Sequence, residues 1–278
     1  MRNVSGFVAV PGGRLWFEAE GSGPPLLLIH GGLGSLRMWD AQVPAFAQHF
    51  EVIRYDTRGY GRSETDDVEF SNRADAVAVL ARLEHSSAAV VGQSRGGIIA
   101  LDLAIERPAV VRRLVLASAG ASGLEPQLPE GTDTPPWDEM ERLWEAHAWE
   151  QLAELETRTW VDGWGQPPGR VAPDLREQVH GWILDTYNAA KAEGRPQPLD
   201  PPAAQRLGAV QAPTLVILGT ADEPGSVASG RAVAEGIPRA DLVEFEGVAH
   251  MVQLEQPERF RGVVLDFLLG DGDLPVGE

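Results

Sequence analysis

The stretch VVGQSRGGIIALDLA, Val90 to Ala104, decides how the rest of the chain is read. An apolar run from Ala88 to Val91 stops at Gly92, and a lone serine, Ser94, follows, set between Gly92 and Gly96. Ile98, Ile99, Leu101 and Leu103 then set a helix-like pattern. The order predicts a strand, a sharp turn carrying one hydroxyl, and a helix. Gly92 and Gly96 leave room for strand and helix to pass close together, and Gly97 lets the helix lie near the sheet. Two readings of Ser94 are open on this stretch alone. It is a helix N-cap in a tight turn, or a nucleophile presented on a strained elbow, with the next backbone N–H aimed at whatever the hydroxyl attacks.

Outward from this stretch, short apolar runs alternate with helical patterns. Upstream, Phe7–Val10 and Leu15–Ala19 read as two strands joined by a Pro11-Gly12-Gly13 turn. Leu26–Ile29 is a continuous apolar run of the kind covered on both faces of a parallel sheet, and it ends in His30-Gly31-Gly32. Ser35 is placed to cap a helix through Trp39, Val43 and Phe46. Val52–Tyr55 is another strand, and Ser71 caps a helix with Ala76, Val77, Leu80 and Leu83 on one face. Downstream, Leu114–Ala117, Thr214–Leu218 and Leu242–Phe245 read as strands. Residues 226–235 suit a short helix, and a final helix carries Phe260, Val264, Phe267 and Leu268. The tail from Gly270 to Glu278 reads as frayed. Alternation of this kind argues for an α/β fold with a mostly parallel sheet and an antiparallel hairpin at one edge.

The texture changes between about Ala121 and about Gln205. No clear strand is present, prolines punctuate the segment, and helix-like patterns run near 137–160 and 173–193. Six of the chain's eight tryptophans lie here: Trp137, Trp144, Trp149, Trp160, Trp164 and Trp182. The segment reads as a helical insertion, residues 121–205, in a core formed by 1–120 and 206–278. Most of its tryptophans are expected to pack the insertion on the core, leaving one or two for a pocket.

Bulk composition excludes several classes. The 278 residues are 43% hydrophobic and carry a net charge of −18, which repels a phosphate backbone or an anionic membrane surface. There is no cysteine, hence no disulfide or thiolate site. No stretch approaches the 18 or so apolar residues of a membrane span, and the N-terminus lacks a signal-peptide pattern. The expectation is a cytoplasmic protein acting on a small molecule, without nucleic acid or membrane as partner, and compatible with a homodimer as well as a monomer. No pair or cluster of histidines has metal-ligand spacing, so neither a metal nor a cofactor is expected.

Ser94, Asp222 and His250 share one kind of address: each follows an apolar strand. In an open parallel sheet those ends lie along one edge, where ligands bind. A serine hydroxyl needs an imidazole to accept its proton, and the imidazole needs a carboxylate to fix its tautomer. The segments LLLIHGGLGS, YDTRGYGRS, VVGQSRGG, PTLVILGTAD and GVAHMVQLEQPERF, in this order, resemble the α/β-hydrolase family over residues 7 to 269. The resemblance implies an eight-stranded sheet with helices on both faces and a helical cap at 121–205. It also implies Ser94 as nucleophile, His250 as base and Asp222 as orienting acid. The N–H groups of Arg95 and Gly32 would then form an oxyanion hole. His30, Asp56 and Arg58 are expected to brace loops, and Glu255 to be a solvated or capping charge. Many relatives carry an apolar residue where this chain has Arg95. Its side chain is expected either to pair with a carboxylate or to hold an anionic substrate.

The function implied is a serine hydrolase of a small carboxylic ester or lactone working through an acyl-enzyme. Alternatives on the same machinery are a C–C bond hydrolase of vinylogous diketones and a perhydrolase or haloperoxidase. From another class, a small-molecule receptor or scaffold on the same fold is the rival, which an intact triad disfavours.

Overall fold

The computed structural model describes residues 2–167, 169–189, 192 and 194–270. Eight strands form the main sheet: β1 (Arg2–Val10), β2 (Gly13–Gly21), β3 (Pro25–Ile29), β4 (Glu51–Tyr55), β5 (Ala88–Gln93), β6 (Val111–Ala117), β7 (Thr214–Gly219) and β8 (Ala240–Phe245). Their order is β1-β2-β4-β3-β5-β6-β7-β8, with β1 and β2 antiparallel, β2 antiparallel to β4, and every later pair parallel. Glu64–Thr65 adds a two-residue pairing to β2. The chain leaves β3 for β4 on one side and returns to β5 on the other. The ends of β3 and β5 therefore flank a topological switch point, where an open α/β sheet forms its crevice.

Side-chain alternation builds a core on each face of the sheet. Leu27, Ile29, Ile53, Val90 and Val216 pack with Leu80 of α2 (Asn72–Arg82), Leu101 of α3 (Arg95–Glu106) and Val233 of α7 (Pro224–Gly236). Leu26, Leu28, Val52, Val91 and Ile217 pack on the other face. Their partners are Phe46 of α1 (Val43–Phe46), Val252 of α8 (Val252–Glu255), and Phe260 and Val264 of α9 (Pro257–Leu269). Among the described residues no helix is long and apolar enough to cross a membrane.

The helix expected after Ser35 is broken. Ser35 caps only a 3-10 turn, Leu36–Trp39, and α1 begins afresh with Pro44 in its first turn. A proline there has no N–H to continue the earlier helix and is tolerated only at a new start.

The insertion holds α4 (Trp137–Glu145), α5 (Trp149–Glu156) and α6 (Pro173–Asn188), with a π-helical turn at Thr157–Gly163. One continuous helix through 137–160 does not form, because His147 adopts φ 53° between α4 and α5. The insertion also contains a strand pairing that its sequence hides: Arg195–Pro196 runs parallel to Glu69–Phe70 of the core. Its ends are tied together, since Ser122 Oγ accepts from the N–H of Ala203 at 3.0 Å and donates to Asp102 of α3 at 2.8 Å. Ion pairing adds a tether. Arg170 is bound to Glu255 (2.5 and 3.1 Å) and donates to the carbonyls of Val161, Asp162 and Gly247. Glu255 also accepts from the N–H of Ala249 at 2.8 Å. It is a nearly buried link between insertion and core, in place of the solvated or capping charge expected in the last helix. Of the frayed tail expected at 270–278, residues 271–278 lie outside the described residues.

Candidate active site

Ser94 stands between β5 and α3 with φ 52° and ψ −122°, a conformation that costs a non-glycine residue about 1–3 kcal/mol. Its neighbours make the turn possible. A Cβ on Gly92 would overlap the carbonyl of Gly96, and one on Gly96 would overlap the carbonyls of Ile29 and His30. The helix therefore starts hard against the ends of β3 and β5. Although Ser94 occupies the N-cap position of α3, its hydroxyl makes no capping hydrogen bond. Among the described residues nothing accepts from it or donates to it.

Asp222 follows β7 and His250 follows β8, and the fold brings them together. His250 Nδ1 lies 2.7 Å from Asp222 Oδ2, and both side chains are almost fully buried. Asp222 Oδ1 accepts from the N–H of Glu223 at 2.8 Å. An ionised carboxylate can only accept, so Nδ1 carries the proton and Nε2 keeps a lone pair on the far side of the ring. Gln93, the last residue of β5, donates through Nε2 to the carbonyl of His250 at 3.2 Å, coupling the strand before the elbow to the histidine loop. Trp160, from the π-helical turn, lays its ring 4.6 Å from the imidazole.

Gly32 sits after β3. A Cβ built there would lie 3.8 Å from Tyr60 Oη and 4.0 Å from Arg95 Cδ, so the glycine loop faces the elbow. The N–H of Arg95 is the first of α3 and has no acceptor within the helix. Among the described residues neither it nor the N–H of Gly32 donates to another backbone group. The loop is braced by His30. Nδ1–H donates to the Gly31 carbonyl at 2.7 Å, and Nε2 accepts from the N–H of Thr57 at 3.0 Å. Complete burial pushes this imidazole down to about 3, so it is neutral. Asp56 and Arg58 brace as well. Asp56 accepts from the N–H groups of Leu36 and Arg62, and Arg58 forks onto Asp75 at 2.7 and 2.9 Å.

The Arg95 side chain does not make the carboxylate pair that was one of the two roles expected from the sequence. Nη1 donates to Thr57 Oγ1 at 2.9 Å, and the guanidinium lies 4.8 Å from the centre of the Tyr60 ring. No carboxylate pairs with it among the described residues. The hydroxyl of Thr57 lies 3.1 Å from His30 Nε2, so Arg95 is linked through Thr57 to the glycine loop.

A cavity of 660 Å³ opens between sheet edge and insertion, with Gly32, Arg95 and Tyr60 on the core side and Trp144, Trp149, Glu156 and Tyr187 on the other. Two of the insertion's tryptophans thus line a pocket, as its composition suggested, and a third touches His250. Gln93, Glu156, Tyr187 and Arg170 were not singled out in the sequence. Only Gln93, inside the elbow motif, had a local signal.

Known proteins are similar to this chain over most of its length. The profile describing the alpha/beta hydrolase fold matches residues 24–257. The chain is 32% identical to a 2-hydroxymuconate semialdehyde hydrolase of a Pseudomonas species, covering 94% of this chain and 92% of the relative. It is 27% identical to 3-oxoadipate enol-lactonase 2 of Acinetobacter baylyi, covering 86% and 87%. Among solved structures it is similar to a thermophilic esterase of Thermogutta terrifontis, at 26% identity and TM-score 0.75, over 97% of this chain and 98% of the other.

Proposed function

The chain belongs to the α/β-hydrolase family, and on that premise we propose that it is a serine hydrolase that opens a small carboxylic ester or lactone. Ser94 Oγ attacks the carbonyl carbon as His250 Nε2 takes its proton. Asp222 holds the imidazole tautomer and stabilises the imidazolium. The tetrahedral oxyanion rests on the N–H groups of Gly32 and Arg95. Collapse expels the alkoxide, which leaves with the proton from His250, and the acyl-enzyme remains. Water attacks it while His250 takes the water's proton, and that proton returns to Ser94 as the acid departs. Ser94 and His250 make no hydrogen bond in the structure, and the contact forms when substrate is bound, as catalytic contacts often tighten only then. Residues 121–205 act as a cap over the core of 1–120 and 206–278.

One observation carries this reading: Ser94 is held in a strained conformation while its hydroxyl serves no cap. Strain of this sort persists where function needs it. A fluorophosphonate probe tests it without knowledge of the substrate. Wild type should gain one phosphonyl mass on Ser94, and Ser94→Ala none. Labelling elsewhere, or undiminished hydrolysis of p-nitrophenyl acetate by Ser94→Ala, would refute it.

The similarity to the semialdehyde hydrolase supports a second reading, C–C cleavage of a vinylogous diketone by the same residues. Turnover of such a diketone with kcat/KM above that for every ester and lactone in a panel would select it.

A further inference from the structure

Glu156 closes α5 at the cavity wall, and its carboxyl has one hydrogen-bond partner, the hydroxyl of Tyr187 on α6 at 2.5 Å. Among the described residues no arginine or histidine pairs with it, whereas its neighbours Glu150 and Glu154 lie near His180 and Arg176. Carboxylates in so enclosed a position are ordinarily paired. The cavity's two arginines do not fill the role. Arg58 is committed to Asp75, and Arg95 to Thr57 and the Tyr60 ring.

Beside Glu156 stand three aromatic rings. Trp149 and Tyr187 are stacked at 5.2 Å, and Trp144 meets both edge-on at 5.4 and 5.6 Å. Trp144 is 43% exposed, a large apolar surface left uncovered at the cavity mouth. His147 also stacks on Trp149, at 4.9 Å, so the ring surface left for a cation beside the carboxylate is the exposed one of Trp144, and desolvation raises the strength of such a contact. The chain's charge of −18 adds a field of the same sign.

Resting on the hydrolase reading, we propose that Glu156, Trp144, Trp149 and Tyr187 form a subsite for an ammonium or quaternary ammonium group on the substrate. Arg95 and Gly32 occupy the core side of the same cavity. The cationic group therefore belongs to the end of the substrate remote from the reacting carbonyl.

Choline and its uncharged isostere 3,3-dimethylbutan-1-ol test the subsite through the fluorescence of the wall's tryptophans. Choline should quench saturably and bind wild type about tenfold more tightly than the isostere, a difference in the range of one good cation–aromatic contact. In Glu156→Gln that preference should fall towards unity. Trp144→Ala, which removes an exposed ring, should weaken choline binding severalfold. Equal binding of the two probes to wild type, or a preference unchanged in folded Glu156→Gln, overturns the proposal.

Turnover of acetylthiocholine and of 3,3-dimethylbutyl thioacetate separates the two levels. Choline binding without turnover of either thioester would leave the subsite standing and count against the hydrolase. Equal kcat/KM for both thioesters, with no choline binding, would do the reverse.

Discussion

Replacing Glu156 by glutamine should make the protein more stable at pH 8 and leave it nearly unchanged near pH 4.5. Burial pushes the Glu156 carboxyl up from 4.5 to about 7, against a smaller opposing effect of the Tyr187 hydrogen bond. Below the unfolded value both states are protonated, and the group costs nothing. Between 4.5 and about 7 the unfolded chain releases its proton while the folded one retains it, so stability falls as pH rises. Above about 7 the loss is complete. Two and a half pH units correspond to about 3 kcal/mol, an upper bound, because part of the carboxyl meets cavity water. Glutamine keeps an acceptor for Tyr187 and never ionises. At roughly 2–4 °C per kcal/mol for a chain near this size, Glu156→Gln should melt roughly 3–10 °C higher at pH 8. Thermal unfolding of both proteins across pH 4.5 to 8.5 checks it, and other titrating groups largely cancel in the difference. A difference that stays flat with pH, or a variant less stable at pH 8, would refute the assignment of an isolated carboxyl.

His30 should act with the opposite sign. Its imidazole is pushed from 6.5 down to about 3, so acidification through that window protonates the unfolded chain first and removes up to about 5 kcal/mol of stability. His30→Asn should flatten the acid limb of the stability curve, and an unchanged limb would count against the buried neutral ring. Arg170→Met leaves Glu255 nearly buried without its cation and should cost about 3–5 kcal/mol, with Arg170→Met/Glu255→Gln regaining part of it. Because Trp160 and the His250 loop are held through Arg170, kcat should fall more than KM rises. Gly96→Ala forces a Cβ into two carbonyls and should abolish labelling of Ser94 along with most folded protein. Gly181→Ala, in open space in the middle of α6, should stabilise by about 1 kcal/mol in thermal unfolding.

The elbow and the sheet edge were legible because their signals are local. Runs such as Leu26–Ile29 and Thr214–Leu218 can be strands only if both faces are covered, and a glycine-bounded serine after such a run can only turn. The meeting of Asp222 with His250 was legible because parallel strands place their ends on one edge. The insertion has no such rule. Its helices are short and polar outside, and one residue, His147, in a left-handed conformation redirects the chain. Glu156 and Tyr187 are 31 residues apart on different helices, and Arg170 and Glu255 are 85 apart, so no spacing announces either pair. The expected helix through Phe46 failed where Pro44 should have been weighed against the apolar spacing.

The two walls of the cavity are built on different physical terms. On the core wall the charges are satisfied: Arg58 by Asp75, and Arg95 by a hydroxyl and a ring face. These groups sit on strand ends fixed by the sheet ladder, so their geometry tolerates little change. The opposite wall keeps, among the described residues, a carboxyl without a cation on α5 and an exposed indole, Trp144, on α4. A chain selected only for stability would gain from an amide at that position. Its retention is intelligible if something bound there offsets the cost, as a cation bound to the folded state would by lowering the carboxyl's proton affinity. Substitutions confined to α4, α5 and α6 should then exchange one substrate class for another while fluorophosphonate labelling of Ser94 persists. Coupled losses of labelling and selectivity would mean that the two walls are a single device.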